Sequence, residues 1–304
     1  MEPTEHIWMD GEFVPWHEAT VHVLVHGLHY GTGAFEGIRA YETPRGPAVF
    51  RLTDHMDRLR RSAKALGIPF GYEVEELVEA AKETIRVNGL RSCYVRPITF
   101  YGTGSMGLNP AGADVHTVIA AWEWGAYLGE EGLANGIRVA VSSWRRISPN
   151  AFMPDAKGTG GYMNSVLAKT AAIRAGYDEA LLLNDAGLIA EGSGENLFMV
   201  RKGVVHTPPT SAGALDGLTR DSVYTLLQED GYRIEESAIT RTDLYYADEV
   251  FFTGTAAEVT PVREIDDRDV GDGKPGPVTR RAQELYMGTV KGELEFHPEW
   301  LEYV

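Results

Sequence analysis

At 304 residues, 43% of them hydrophobic and 24% charged, the chain can fill two globular cores, and it has no long uncharged apolar run to span a membrane. Its 28 basic and 44 acidic residues give a formal charge of −16, which disfavours nucleic acid and anionic membranes as partners and obliges any anionic substrate to meet a locally positive pocket. One cysteine, Cys93, excludes an intrachain disulfide and, with an acidic N-terminal stretch lacking a signal-peptide core, predicts a cytoplasmic protein.

In chain order, Ile7 to Val14 predicts two short strands around an Asp10-Gly11 turn. Val21 to Val25 alternates apolar residues with histidine and predicts a strand, as do Phe35 to Tyr41 and Val49 to Leu52. Thr53-Asp54 opens a helix through Lys64, with Met56, Leu59 and Ala63 on one face, and Glu73 to Val87 forms a second, ended by Asn88-Gly89. Cys93 to Tyr101 and Val115 to Trp122 are further strands. From Glu123 to Asn135 the text changes, and the expected division is a small domain over 1–122, a connection over 123–135 and a larger domain over 136–304.

The second half predicts strands at Ile137 to Trp144, Ala180 to Asn184, Leu188 to Ala190, Asn196 to Val200 and Glu249 to Thr253. Helices are expected over Tyr162 to Arg174, Thr219 to Asp230 and Pro277 to Tyr286. Strands and helices mix without a strict βαβ rhythm, so the fold class is α+β.

Four short segments carry chemistry. Ala190-Glu191-Gly192-Ser193-Gly194 sets a carboxylate on a turn whose glycines let backbone approach a flat ligand. Lys157, in Asp155-Ala156-Lys157-Gly158, supplies an amine. Gly217-Leu218-Thr219-Arg220-Asp221 opens a helix whose first N–H groups suit a phosphate. Gly254-Thr255-Ala256-Ala257 follows a strand with small residues and amides for an anion. Singly these read as a solvated lysine, a tight turn, a capped helix start and a strand-to-helix turn. Together they supply the amine, acid and phosphate turns of a pyridoxal phosphate site.

In order, His29-Tyr30-Gly31-Thr32, Phe35-Glu36-Gly37-Ile38-Arg39, His55-Met56-x-Arg58-Leu59, Tyr94-x-Arg96-Pro97 and the segments above resemble the class IV (fold type IV) pyridoxal phosphate aminotransferases, above all the branched-chain amino acid aminotransferases. The resemblance spans essentially the whole chain and implies a small N-terminal α/β domain and a larger strand-rich one. It implies Lys157 as Schiff-base lysine and proton shuttle, and Glu191 as partner of the pyridine nitrogen. Arg58, the Leu218 and Thr219 amides and Thr255 match phosphate ligands, and Tyr162 the tyrosine near the ring oxygen. Tyr94 and the Thr255–Ala256 turn match the groups for the substrate α-carboxylate, and Arg96 the arginine for the distal carboxylate of glutamate. Tyr30, Phe35, Trp124 and Tyr127 would line the side-chain pocket, some from a neighbouring subunit.

The implied activity is reversible amino transfer from leucine, isoleucine or valine to 2-oxoglutarate by a homodimer or larger homo-oligomer. D-amino acid and (R)-amine transaminases are the alternatives. Gly161 stands where branched-chain members usually carry asparagine, and the glycine-rich loop after Tyr101 occupies a place that shapes substrate choice. Gly102-x-Gly104-x-x-Gly107 matches a dinucleotide fingerprint, yet Leu108-Asn109-Pro110 cannot open the helix this requires. His22, His26 and His29 lack a convergent carboxylate or cysteine, so no metal is expected. Trp144-Arg145-Arg146 reads as a small salt-bridged basic surface.

Overall fold

A computed structural model describes residues 2–125 and 127–304. Asp10 and Gly11 both take positive φ, 52° and 102°, and close a hairpin between His6–Met9 (β1) and Glu12–Pro15 (β2). Positive φ at both central positions gives the turn whose twist matches paired strands. The other strands of this sheet are Gly33–Phe35 (β3), Ile38–Thr43 (β4), Gly46–Phe50 (β5), Cys93–Tyr101 (β6), Val115–Trp122 (β7) and Leu301–Tyr303. Their order is Leu301–Tyr303, β5, β4, β6, β7, β1, β2, with β3 also on β6.

Strand β6 serves both short strands: β3 pairs with its Ile98 to Phe100 and β4 with its Cys93 to Val95. Glu36 and Gly37 fall in the break between them. Helices His26–Tyr30 (α1), Leu52–Ala65 (α2) and Val74–Val87 (α3) complete this part. Leu52, Met56, Leu59 and Ala63 recur at helical spacing on α2 and are fully buried with Leu77, Ala81 and Ile85 of α3 and Ile38, Val95 and Ile119 of the sheet. Each large aliphatic side chain buried this way contributes about 1.5–3 kcal/mol.

Val21 to Val25 is a turn into α1 and not a strand. Leu24 N donates to His22 Nδ1 at 3.1 Å, and Val21 and Val23 are 45% and 68% exposed. Alternation specifies a strand only where one face is buried against a partner strand, and of these five residues only Val25 is buried and none is paired in a sheet.

The chain forms two compact units: one runs up to Trp124 and adds Ala156–Gly161 and Thr289–Val304, and the other comprises Gly125–Asp155 and Tyr162–Gly288. The division therefore differs from a single connection over 123–135. Ala156–Gly161 joins the first unit because Phe35 N donates to Lys157 O and Gly160 N to Gly31 O, and Ala34 bridges Gly158. Leu301–Tyr303 joins it by pairing with β5, and the expected connection holds a helix, Gly129–Asn135 (α4).

The second unit carries Ile137–Val141 (β8), Glu179–Leu183 (β9), Ile189–Gly192 (β10), Asn196–Arg201 (β11), Val204–Thr207 (β12), Arg233–Glu236 (β13), Glu249–Gly254 (β14), Glu258–Ile265 (β15) and Arg268–Asp269 (β16). Their order is β10, β9, β8, β15, β14, β11, β12, β13, with β16 on β15. Strand β8 is parallel to β9 and β15, β12 is parallel to β13, and the other pairs are antiparallel. This mixture is the α+β class expected. Leu181, Ile189, Leu197, Phe252 and Val262 form its core. Its helices are Tyr162–Arg174 (α5), Leu218–Glu229 (α6), Arg241–Tyr245 (α7) and Pro277–Val290 (α8), within one or two residues of expectation at the start of each long one. Among the described residues no helix is long and apolar enough to cross a membrane.

Candidate active site

In the first unit, the break in the sheet turns Glu36 inward. Its N–H donates to Pro97 O at 2.9 Å, and its fully buried carboxylate receives Arg58 Nε and Nη2 at 2.7 and 2.8 Å and lies 2.7 Å from His55 Nδ1. His55, Arg58 and Ser62 recur at i, i+3 and i+7, which puts them on one face of α2. Ser62 Oγ accepts from Lys157 N at 3.1 Å, so the backbone of the lysine is held by the helix that carries Arg58. Burial pushes the Glu36 carboxyl up, but the Arg58 charge and hydrogen bonds, then those of His55, outweigh it and hold it well below the usual carboxylate range. Burial pushes His55 down, and Glu36 only partly offsets this.

The Phe35 ring sits beneath two cations, with Lys157 Nζ 5.2 Å and the Arg96 guanidinium carbon 4.8 Å from its centroid. Arg96 Nη2 donates to Tyr94 Oη at 3.0 Å, and among the described residues its buried Nε has no partner. The Tyr94 ring meets Trp122 at 5.3 Å and Trp124 edge-on at 4.6 Å. A Cβ on Gly37 would lie 1.9 Å from Tyr94 Oη, so the hydroxyl occupies space only glycine leaves. Phe35, Arg58, Tyr94, Arg96, Trp124 and Lys157 thus share this unit. Tyr30 belongs to a different cluster of it: its ring is 4.6 Å from that of His26, and its hydroxyl donates to Met106 O.

In the second unit, Glu191 lies near the end of β10 with its carboxylate buried. It accepts Leu215 N at 2.8 Å and Arg146 Nη2 at 2.8 Å, with Asn196 Nδ2 at 3.5 Å. Arg146 also donates to Gly213 O and Pro154 O, and Asn196 donates to Leu215 O. A Cβ on Gly217 would fall 1.9 Å from Asn196 Oδ1, so Asn196 brings the Glu191 strand and the start of α6 together. Gly217 caps α6 without a side chain, and Leu218 and the buried Thr219 begin its first turn. Such an end carries partial positive charge and directs N–H groups outward.

Asn196 pairs across the sheet with Thr253, whose buried Oγ1 has no partner among the described residues, just before the half-buried Thr255–Ala256 turn. Tyr162 starts α5, half-buried. Tyr127 lies under Lys169 Nζ at 5.2 Å, and Lys169 pairs with the buried Glu179 at 2.6 Å. The neighbouring Glu195 carboxyl is raised well above its ordinary value by burial first and by the Glu179 charge second.

Several functional neighbours escaped the sequence reading. Glu36 and Asn196 stood inside segments singled out for other residues, while His55 and Ser62 carried no signal beyond helical spacing. Arg146 was expected on a basic surface, yet its side chain is 11% exposed and bonded to Glu191. His26, weighed as a metal ligand, is buried with its ring nitrogens 2.8 Å from Thr32 Oγ1 and 2.9 Å from Gly107 O.

Each unit carries groups of the types that a phosphorylated aromatic aldehyde engages: the first has the Lys157 amine and the Arg58 guanidinium, and the second has the N–H groups at the start of α6 and the buried Glu191 carboxylate. Unpartnered Thr253 Oγ1 and Arg96 Nε are buried polar atoms of the kind a ligand satisfies.

The family described as amino-transferase class IV matches residues 33–265. A branched-chain-amino-acid aminotransferase of Pseudomonas aeruginosa is 51% identical, over 97% of this chain and 95% of the relative. The crystal structure of the Escherichia coli branched-chain amino acid aminotransferase superposes with a TM-score of 0.97 at 48% identity, covering 98% of this chain and 99% of that one. A branched-chain aminotransferase from the thermophilic archaeon Thermoproteus uzoniensis, solved with norvaline, gives 0.93 at 45% identity, covering 98% of each chain. With near-complete coverage at about half identity and a matching fold, the chain belongs to the class IV aminotransferases.

Proposed function

We propose that this aminotransferase uses pyridoxal phosphate to move the amino group of leucine, isoleucine or valine to 2-oxoglutarate. One observation carries the substrate reading. Arg96 stands in an aromatic wall of Phe35, Tyr94 and Trp124, with its buried Nε unpartnered among the described residues. Aromatic surface accepts an aliphatic side chain, and an arginine edge accepts the second carboxylate of the other substrate.

When bound, the cofactor supplies an electron sink for the charge left at the substrate Cα. In this reading Lys157 would hold the cofactor through its Nζ and would carry the proton of the substrate Cα. Glu191 holds the proton of the ring nitrogen, and Arg146 and the Leu215 amide keep its carboxylate in place. Arg58, the Leu218 and Thr219 amides and Thr255 take the phosphate, and Tyr162 faces the ring oxygen. Tyr94 and the Thr255–Ala256 turn orient the α-carboxylate, and Arg96 receives the distal carboxylate. Phe35, Trp124 and Tyr127 line the side-chain pocket, and Tyr30, which packs against His26 in this chain, would reach it from a neighbouring subunit.

Assembly as a homodimer or larger homo-oligomer belongs to the same reading. Leu24 and Met106 line one open surface pocket, and Val23, Leu28 and Leu108 are 68%, 67% and 85% exposed; a second copy of the chain would cover apolar surface of this kind. The acidic surface, with no membrane-crossing helix among the described residues, agrees with a cytoplasmic enzyme acting on small molecules.

Leucine, D-alanine and an (R)-arylamine assayed side by side with 2-oxoglutarate test the substrate. Leucine turnover is expected. Turnover of either competitor without leucine would overturn the reading.

A further inference from the structure

A deeply buried charge cluster of the first unit holds a carboxylate, Glu36, to which the proposed chemistry gives no role. Glu36 is 0% exposed, and two nitrogens of Arg58 and one of His55 converge on it. An ion pair buried this deeply is a weak source of stability, because the desolvation of both charges offsets their attraction. It is a strong source of geometry. The guanidinium is planar with five fixed donors, and a carboxylate bonded to Nε and one terminal nitrogen fixes its plane and its roll. Without that partner a helix-borne arginine samples many rotamers, and holding it in one costs side-chain entropy.

The surroundings keep Glu36 itself immobile. Its backbone N–H is bonded to Pro97 O, and its neighbour Phe35 donates to Lys157 O. One turn beyond Arg58, Ser62 receives the Lys157 N–H. The groups facing the carboxylate are therefore Arg58 and His55 from α2, with the Gly37 N–H at 3.3 Å. Arg58 balances the charge of Glu36, so the cluster works through direction.

We propose that Glu36 is the positioning residue for Arg58, aiming its guanidinium at the phosphate of the cofactor. This rests on the reading above, in which Arg58 takes that phosphate. Glu36 touches neither cofactor nor substrate.

The test compares ligands with and without the group Arg58 would hold. Full-length chain freed of cofactor is titrated with pyridoxal phosphate, pyridoxal and inorganic phosphate, in the wild type and in Glu36→Gln, Arg58→Gln and the double variant. Glu36→Gln should lower the ratio of pyridoxal phosphate to pyridoxal affinity by about 10–100-fold, the usual effect of removing the partner that orients a ligand-binding group. It should weaken inorganic phosphate in parallel and leave pyridoxal unchanged. On the Arg58→Gln background, Glu36→Gln should change the ratio no further. If Glu36→Gln does not fold, the ratio is read on Glu36→Asp, which keeps the charge but shortens its reach, and the same loss is expected.

Equal losses for pyridoxal and pyridoxal phosphate, or a further loss on the Arg58→Gln background, would overturn the proposal and leave the cofactor reading intact. A wild type that binds pyridoxal as tightly as pyridoxal phosphate would overturn the phosphate role of Arg58, and this proposal with it.

Discussion

Arg146 places a terminal guanidinium nitrogen 2.8 Å from Glu191 Oε1, with the two side chains 11% and 7% exposed. Removing one partner of such a pair leaves the other charge buried without compensation, at about 3–5 kcal/mol. Arg146→Gln should therefore lower the unfolding free energy by about 3 kcal/mol in urea and reduce leucine turnover. Arg145→Gln, one residue away on an exposed side chain, should change neither, and an equal effect of both would contradict the assignment.

Gly37 is required by the Tyr94 hydroxyl, which would lie 1.9 Å from a Cβ at that position. Gly37→Ala must displace Tyr94 Oη from Arg96, and a hydrogen bond to a charged group is worth about 1.5–3 kcal/mol. Steady-state kinetics should show KM for amino acid and oxo acid rising about ten-fold or more, the equivalent of that bond. An unchanged KM would remove Tyr94 from the carboxylate site.

Glu195 predicts a pH dependence of stability. Burial and the Glu179 charge raise its folded pKa above the unfolded value, so its contribution is full below the ordinary carboxylate pKa and is lost as pH rises toward the folded one. Glu195→Gln keeps a neutral hydrogen-bonding side chain and removes that loss. Melting temperatures recorded from acid to mild alkali should fall less steeply with pH in Glu195→Gln than in the wild type. Parallel curves would show that Glu195 ionises normally.

The residues proposed to carry the chemistry stood out in short segments: Lys157, Glu191 and the turns at Gly217 and Gly254 each sit among glycines or small residues within five positions. Their neighbours were invisible because their partners are distant in sequence: Glu36 is bonded to Arg58, 22 residues on, and Asn196 to Leu215, 19 residues on.

Helices with a clear apolar stripe, such as Leu52–Ala65, were legible almost to the residue. Val21 to Val25 failed as a strand because alternation says nothing about whether a partner strand exists. The division into units differs at Ala156–Gly161 and Leu301–Tyr303 for the same reason, since both join the first unit by pairing with residues far away in sequence.

The central claim is that Lys157 holds pyridoxal phosphate. Borohydride reduction of the cofactor-loaded protein, followed by peptide mass analysis, tests it directly. The expected result is a single reduced pyridoxyl adduct on Lys157 in the wild type, its retention in Glu191→Gln despite loss of most turnover, and its absence in Lys157→Ala. An adduct on another lysine, or none after loading, would contradict it.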